Sequence, residues 1–317
     1  MNDRLKEMII KKILEHIPST IKPANYLTDT LDLAKESVYR RLNGQIDFTT
    51  QEIIKLSKKL NFSLDEILSE YNNDLAIFTY TSDRLDSVKN ESLELLKQNV
   101  NIMKDASKDK NNVIFVSMNY LLTMYVHEYE YLARFAYFKT LHQFENVPFN
   151  FYLRDLIIPE EIIILNKEII KNNKQLNYKI IFDKYTIYNT IQDIKYFYER
   201  GLIKHEIPLL VDDLKKFLNN IQVVLTTGKY HESTWEMYLS SINIDSNSCY
   251  MMYNNIPSSF FWIHSDSGIH TKNTQICNLE KEWFYSLLKY STLISKSNQK
   301  MQADFLNEQY KYLEELT

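Results

Sequence analysis

The chain has 317 residues, of which 44% are hydrophobic, 25% charged and 13% aromatic, and its formal net charge is −4. That length exceeds one small bundle and predicts two or three domains, with enough apolar material for real cores. The negative balance excludes a protein that coats polyanions through bulk charge, so any nucleic-acid contact has to come from a local patch.

Apolar residues at 5, 8, 9, 13 and 17 have helical spacing and predict a helix over 5–16, ended near Pro18. Pro23 suits the first turn of a second helix running through Thr30. A third helix, 35–43, is closed by Gly44 and carries Val38 and Leu42 four apart, hence on one face. Those two anchor it, while Lys35, Glu36, Ser37, Tyr39, Arg40, Arg41 and Asn43 surround an outward face. Thr49 or Thr50 caps a fourth helix with Ile53, Ile54, Leu56 and Leu60 inward. Ser63, with Glu66 three residues on, forms a capping box for a last turn containing Leu64, Ile67 and Leu68. A short helix following another across a sharp turn is one solution to entering the DNA major groove.

Residues 5–70 resemble the Cro/C1-type helix-turn-helix domain of phage repressors and many bacterial one-component regulators. The resemblance rests on Val38-x3-Leu42-Asn43-Gly44, Phe48-Thr49, Ile53-x2-Leu56-x3-Leu60 and Phe62-Ser63-Leu64-Asp65-Glu66-Ile67. It implies that the second of the two close helices lies in the major groove. Such domains often open the helix before the turn with Gln or another polar donor that grips a phosphate. Here Pro23 and Ala24 stand there, leaving Lys22 or Asn25 for that contact. The outward residues suit base edges: Arg and Lys for guanine, Ser for either pair, Tyr for phosphate or a thymine methyl. Glu36 is the odd member, useful only against cytosine N4 or paired with Arg40. The competing reading is a bundle that uses the same face for protein contacts.

Residues 71–83 turn polar and read as a linker. A helix over 85–103 follows, with Leu85, Val88, Leu95, Leu96, Val100 and Met103 on a broad stripe. A coiled-coil register would put Ser92 and Asn99 on its seam, which favours packing against its own domain. Beyond 104–112 the character changes, since only five of the aromatic rings fall in 1–77. A strand at 113–116, an apolar helix within 119–143, a helix at 159–171, a strand at 178–182 and helices at 187–200 and 208–225 are predicted. Runs at 235–244, 249–253 and 258–264 read as an antiparallel meander, and helices at 280–295 and 297–316 close the chain. The expected fold class is an all-α helix-turn-helix bundle followed by a larger α+β region with an antiparallel meander. The expected domains are 1–72 for DNA binding, 73–110 as linker and connecting helix, and 111–317 for sensing or oligomerisation.

Little else carries chemistry. Cys249 and Cys277 lack a CxxC or ligand spacing and read as reduced thiols of a cytoplasmic protein. The first twelve residues contain acids and no apolar stretch, unlike a secretory signal. The windows 113–126 and 157–165 are too short or too interrupted for a bilayer. His264, Asp266 and His270 supply donors without further ligands at metal spacing, and the His270-Thr-Lys272 run lacks the Asp and the second copy that phospholipase D chemistry needs. His127-Glu128 and His231-Glu232 read as surface or packing pairs, and no GxGxxG, P-loop or GxSxG occurs. No catalytic residue, metal or cofactor is therefore expected. The aromatic excess is mostly core, with Tyr250, Tyr253, Phe260 and Trp262 as the candidate ligand or partner surface.

The resulting expectation is a one-component transcriptional regulator whose partners are double-stranded DNA, a second copy of the chain and a small-molecule or protein effector. Its alternative is a DNA-recruited protein-interaction factor without an effector.

Overall fold

Two units divide the chain, Met1–Phe78 and Thr79–Thr317, in a computed structural model that describes residues 3–18, 21–60, 62–71, 76–80, 88–264 and 267–316. The first unit holds α1 (Asp3–His16), α2 (Pro23–Leu31), α3 (Lys35–Leu42), α4 (Thr50–Leu60) and α5 (Leu64–Tyr71). Each helix sends its i, i+3/i+4 stripe inward: Ile9 and Ile13 from α1, Ala24, Leu27 and Leu31 from α2, Val38 from α3, and Ile53, Leu56 and Leu60 from α4. Phe48 and Phe62 fill the joints, so one apolar core fixes all five helices. Pro23 occupies the first turn of α2 as expected, where its missing N–H costs nothing. Thr49 caps α4. Its hydroxyl accepts from the Glu52 N–H at 3.2 Å, and the Glu52 carboxylate accepts from the Thr49 N–H at 2.8 Å, a reciprocal capping box. The side chain of Glu66, expected in a second such box, lies outside the described residues.

The larger unit begins with β1 (Thr79–Tyr80) and α6 (Val88–Ala106), then β2 (Val113–Met118), α7 (Thr123–Val126), α8 (Glu130–Phe144) and α9 (Glu160–Asn173). It continues through β3 (Tyr178–Phe182), α10 (Thr186–Glu199), α11 (Ile207–Thr227), β4 (Lys229–Tyr230) and β5 (Ser233–Ser240). The last elements are β6 (Ser248–Tyr253), β7 (Ile256–His264), β8 (Ser267–Thr271), α12 (Thr274–Lys289), β9 (Ser291–Leu293) and α13 (Gln299–Glu314). The strands form one mixed sheet in the order β1-β8-β7-β6-β2-β3-β5-β4, with β9 also on β5. Strands β2, β3 and β5 run parallel, joined by helical crossovers, and β6, β7 and β8 add antiparallel to the β2 edge. The unit is thus α+β, and its antiparallel run differs from the expected one. The run at 235 is β5, paired parallel with β3, while the third antiparallel strand is Ser267–Thr271.

Alternation along the strands feeds two cores. Ile114, Val116, Ile180, Phe182, Trp235 and Met237 enter the large core shared with the helices from α6 to α11 and with α13. Phe115, Ile181 and Tyr250 turn to the other face, where Cys277, Phe284 and Leu287 of α12 cover them. The helix over 88–106 is not a free connector: α6 packs on α9, and its Leu93, Leu96 and Met103 belong to the large core. Leu85, expected at its start, lies outside the described residues. No described helix is long and apolar enough to cross a membrane.

Candidate functional site

Helix α3 is presented by a three-residue connection from α2. Asp32 takes the left-handed conformation (φ 55°, ψ 49°) and donates its N–H to the Thr28 carbonyl, ending α2, and Ala34 in extended backbone then starts α3. Asp tolerates that conformation better than most residues with a Cβ. At the far end Gly44, with φ 72°, donates to the Arg41 carbonyl at 3.0 Å, which turns the chain out of the helix. Lys6 of α1 then holds Asp47 at 2.7 Å and pins the loop that leads to α4.

The outward stripe of α3 is Lys35, Glu36, Tyr39, Arg40 and Asn43, all exposed. Their spacing of i, i+1, i+4, i+5 and i+8 follows a single helical face. Val38 is fully buried, and Leu42 is half-buried against the same core, so the helix is rotated as its apolar pair predicts.

Arg41 and Ser37 do not belong to that stripe. Arg41 is only 9% exposed. Its guanidinium grips the Glu52 carboxylate with two bonds of 3.0 Å, and donates to the Ser37 hydroxyl at 2.7 Å and the Ser37 carbonyl at 3.3 Å. The reason is helical phase: residue 41 follows Val38 by three and points with it toward α4. Burial alone would raise the Glu52 carboxyl, but the Arg41 guanidinium, with the Thr49 amide and hydroxyl, holds it below the usual carboxylate range. One bidentate pair thereby ties α3 to the start of α4, and it fixes the angle at which the exposed stripe is offered. Glu52 was missed in the sequence, although its place in a capping box beside a cationic helix end was a usable signal.

The aromatic candidates separate. Tyr250 is buried beneath α12 at 1% exposure and is no surface residue, because even-numbered positions of β6 face that core. Tyr253 and Phe260 are partly buried against the large core. Trp262 packs on Phe260, ring centroids 4.6 Å apart, and lines a cavity. Its strand can bend there because Gly268 lies opposite, where a Cβ would collide with the Phe261 carbonyl and the Phe260 ring.

That cavity, about 90 Å³, is walled by α6, α7, α8, α9 and the β7–β8 pair, with Leu96, Leu122, His127, Ile162, Asn166 and Trp262 among its lining. The Nδ1 of His127 and the Oδ1 of Asn166 are both buried without a hydrogen-bond partner. Burial alone pushes the His127 imidazole down to about 4, so the ring is neutral near neutral pH. A smaller cavity of about 40 Å³ shares Met124 with the first and is bordered by Glu128, Tyr125, Tyr230 and Trp235. There the Glu128 carboxylate accepts from the Tyr230 hydroxyl and from Lys174. The sequence reads His127 only as half of a His-Glu surface or packing pair and gives Asn166 no signal, since the six elements that enclose them are spread from residue 88 to 271.

The histidine-rich segment 264–270 contributes His264 to the end of β7 and residues 267–270 to β8, and Asp266 lies outside the described residues. Among the described residues no group of three or more His, Cys, Asp or Glu could hold a metal ion. Cys249 and Cys277 are free and buried, and burial pushes the Cys249 thiol up to about 12. The chain matches no family model, no curated protein and no solved structure.

Proposed function

We propose that this chain is a sequence-specific DNA-binding transcriptional regulator of the one-component type. In this reading residues 1–72 form a Cro/C1-type helix-turn-helix domain and α3 is the helix that enters the major groove. The observation that supports it is the exposed stripe Lys35, Glu36, Tyr39, Arg40 and Asn43, set on a short helix whose other face is locked by Val38 and the Arg41–Glu52 pair. Lys35 and Arg40 supply donors for guanine edges, Asn43 pairs with adenine or phosphate, and Tyr39 reaches a phosphate or a thymine methyl. Arg41 and Ser37 act behind them as positioning residues.

Three or four base contacts per copy are too few for tight selective binding, so two copies on a palindromic site supply the remainder. The larger unit is then the dimerising and effector-sensing part. The second reading, a DNA-recruited protein-interaction factor, is favoured by Leu279, Trp283 and Tyr290, which stand exposed on or just beyond α12.

Selection of duplexes from a random pool by the full chain, followed by titration of the selected site, tests the proposal. Lys35→Ala or Arg40→Ala is expected to weaken specific binding by about 1–3 kcal/mol each with the fold intact. Equal affinity of both variants and the parent removes α3 from the interface. Sedimentation of the full chain checks the dimer, and a monomer at micromolar concentration would count against it.

A further inference from the structure

We propose that the cavity between α6, α7, α8, α9 and the β7–β8 pair is the effector site of the regulator proposed above, and that it takes a small uncharged ring compound bearing one hydroxyl, in the chemical class of phenol or cyclohexanol. The word effector rests on the regulatory reading; the binding site itself does not.

Close-packed interiors hold few voids larger than a water, and this partly open cavity measures about 90 Å³. Leu95, Leu96, Leu122, Ile158, Ile162 and Trp262 give it apolar walls, which select an apolar body. Among the described residues no Asp, Glu, Lys or Arg lines it, so a charged guest would lose its hydration with none of them to replace it. The His127 ring is itself neutral near neutral pH and offers no counter-charge. Two lining residues each carry a buried polar atom without a partner, Nδ1 of His127 and Oδ1 of Asn166. A neutral imidazole protonated on Nε2 leaves Nδ1 to accept, and the amide oxygen also accepts. Both atoms lie just behind the cavity wall, so a guest that donates one O–H satisfies either one after a small turn of its side chain, and a hydrocarbon satisfies neither.

Size sets the other limit. A 150 Å³ apolar cavity is known to admit benzene, so a ring in this smaller space requires one wall to yield. Met124 stands between this cavity and its neighbour of about 40 Å³, and its unbranched thioether is the side chain best suited to move. Neutrality and one donor are thus specified by the lining, and a ring is admitted by displacement of Met124.

Calorimetric titration and thermal melting of the full chain with phenol, cyclohexanol, benzene and benzoate provide the test. Phenol and cyclohexanol are expected to bind saturably and to raise the melting temperature. Benzene should bind roughly tenfold more weakly, the worth of one net hydrogen bond, and benzoate should not bind. Ala133→Leu, which fills the cavity from α8, should abolish binding, and Ser92→Leu, entering from α6, gives the same answer if the first variant fails to fold. His127→Phe combined with Asn166→Leu, which removes both acceptors, should bring phenol and benzene to within about twofold of each other. Equal binding of all four compounds, no saturable binding of phenol or cyclohexanol, or undiminished binding in both filled variants overturns the site. The selected DNA duplex is then titrated with and without phenol. Binding of phenol that leaves DNA affinity unchanged overturns the effector role alone. Absence of any selected duplex overturns the regulatory reading, while the titrations with small molecules still report on the cavity.

Discussion

The two units solve opposite problems with their polar side chains. In the small unit the core is built from apolar stripes, and Lys35, Glu36, Tyr39, Arg40 and Asn43 of the α3 region stand outside it. In the larger unit polar atoms are carried inside: Nδ1 of His127, Oδ1 of Asn166, and the hydroxyls of Tyr125 and Tyr178 are all buried without partners. A buried polar atom left unpaired costs about 1–3 kcal/mol. The larger unit sets two such atoms on residues that line a cavity, whereas the small unit presents its polar stripe on the outside. Arg41 and Thr30 are polar residues turned inward in the small unit, Arg41 fully paired and Thr30 with its hydroxyl unpartnered.

The sharpest way to break the comparison is to perturb the small core alone. Leu56 has no exposed surface, so Leu56→Ala should destabilise the first unit by about 2–5 kcal/mol. Calorimetry should then show one lowered transition, with the transition of the larger unit unmoved; two equal shifts would mean that the units share a single cooperative core. Next in size is the acid response of the larger unit. His127 is neutral, folded or unfolded, above its ordinary value of 6.5, and contributes no pH dependence there. Below it the unfolded chain takes up a proton that the folded chain refuses until about 4, so stability falls as pH drops through that window. The loss is at most about 1.4 kcal/mol per pH unit. Denaturant melts of the parent and of His127→Gln should differ in slope between those values and run parallel above them.

Smaller still is the Arg41 lock. Arg41→Ala leaves Glu52 facing a vacated partner and should cost roughly 1–3 kcal/mol in chemical denaturation. Because the Glu52 carboxyl is held low in the folded chain, the pair contributes above the ordinary Glu range, and that stability is lost as pH falls through the lowered folded value. Least of all, Arg40→Ala should leave the melting curve within about 0.5 kcal/mol of the parent, since its side chain is exposed on the outward stripe. A larger loss would place Arg40 in the fold and not on the contact face.

The contrast between the units also governs what could be read from the chain. Short-range rules carry the small unit: the Val38–Leu42 spacing, Pro23 at a helix start, Gly44 at a helix end and Thr49 as a cap all depend on neighbours within four residues. Arg41 escaped because its charge outweighed its phase, although it sits three residues after Val38 on the buried side. In the larger unit periodicity identifies strands but not their partners. Trp235 lies on a parallel strand beside Tyr178, a pairing across distant sequence that alternation cannot specify. Tyr250 and Tyr253 are three apart and so face opposite ways in a strand, and the choice between core and surface depends on α12 covering one face. The cavity was illegible for the same reason, being enclosed by segments from α6 through β8.

The three indoles occupy three surroundings, and this makes the protein its own optical gauge. Trp235 is 4% exposed among aromatic rings, Trp283 is 46% exposed on α12, and Trp262 borders the cavity. Indole emission moves to shorter wavelength as its surroundings dry. With Trp235 and Trp283 replaced by Phe, the colour of the remaining emission would report whether the space beside Trp262 is wet or filled, in real time and without a label.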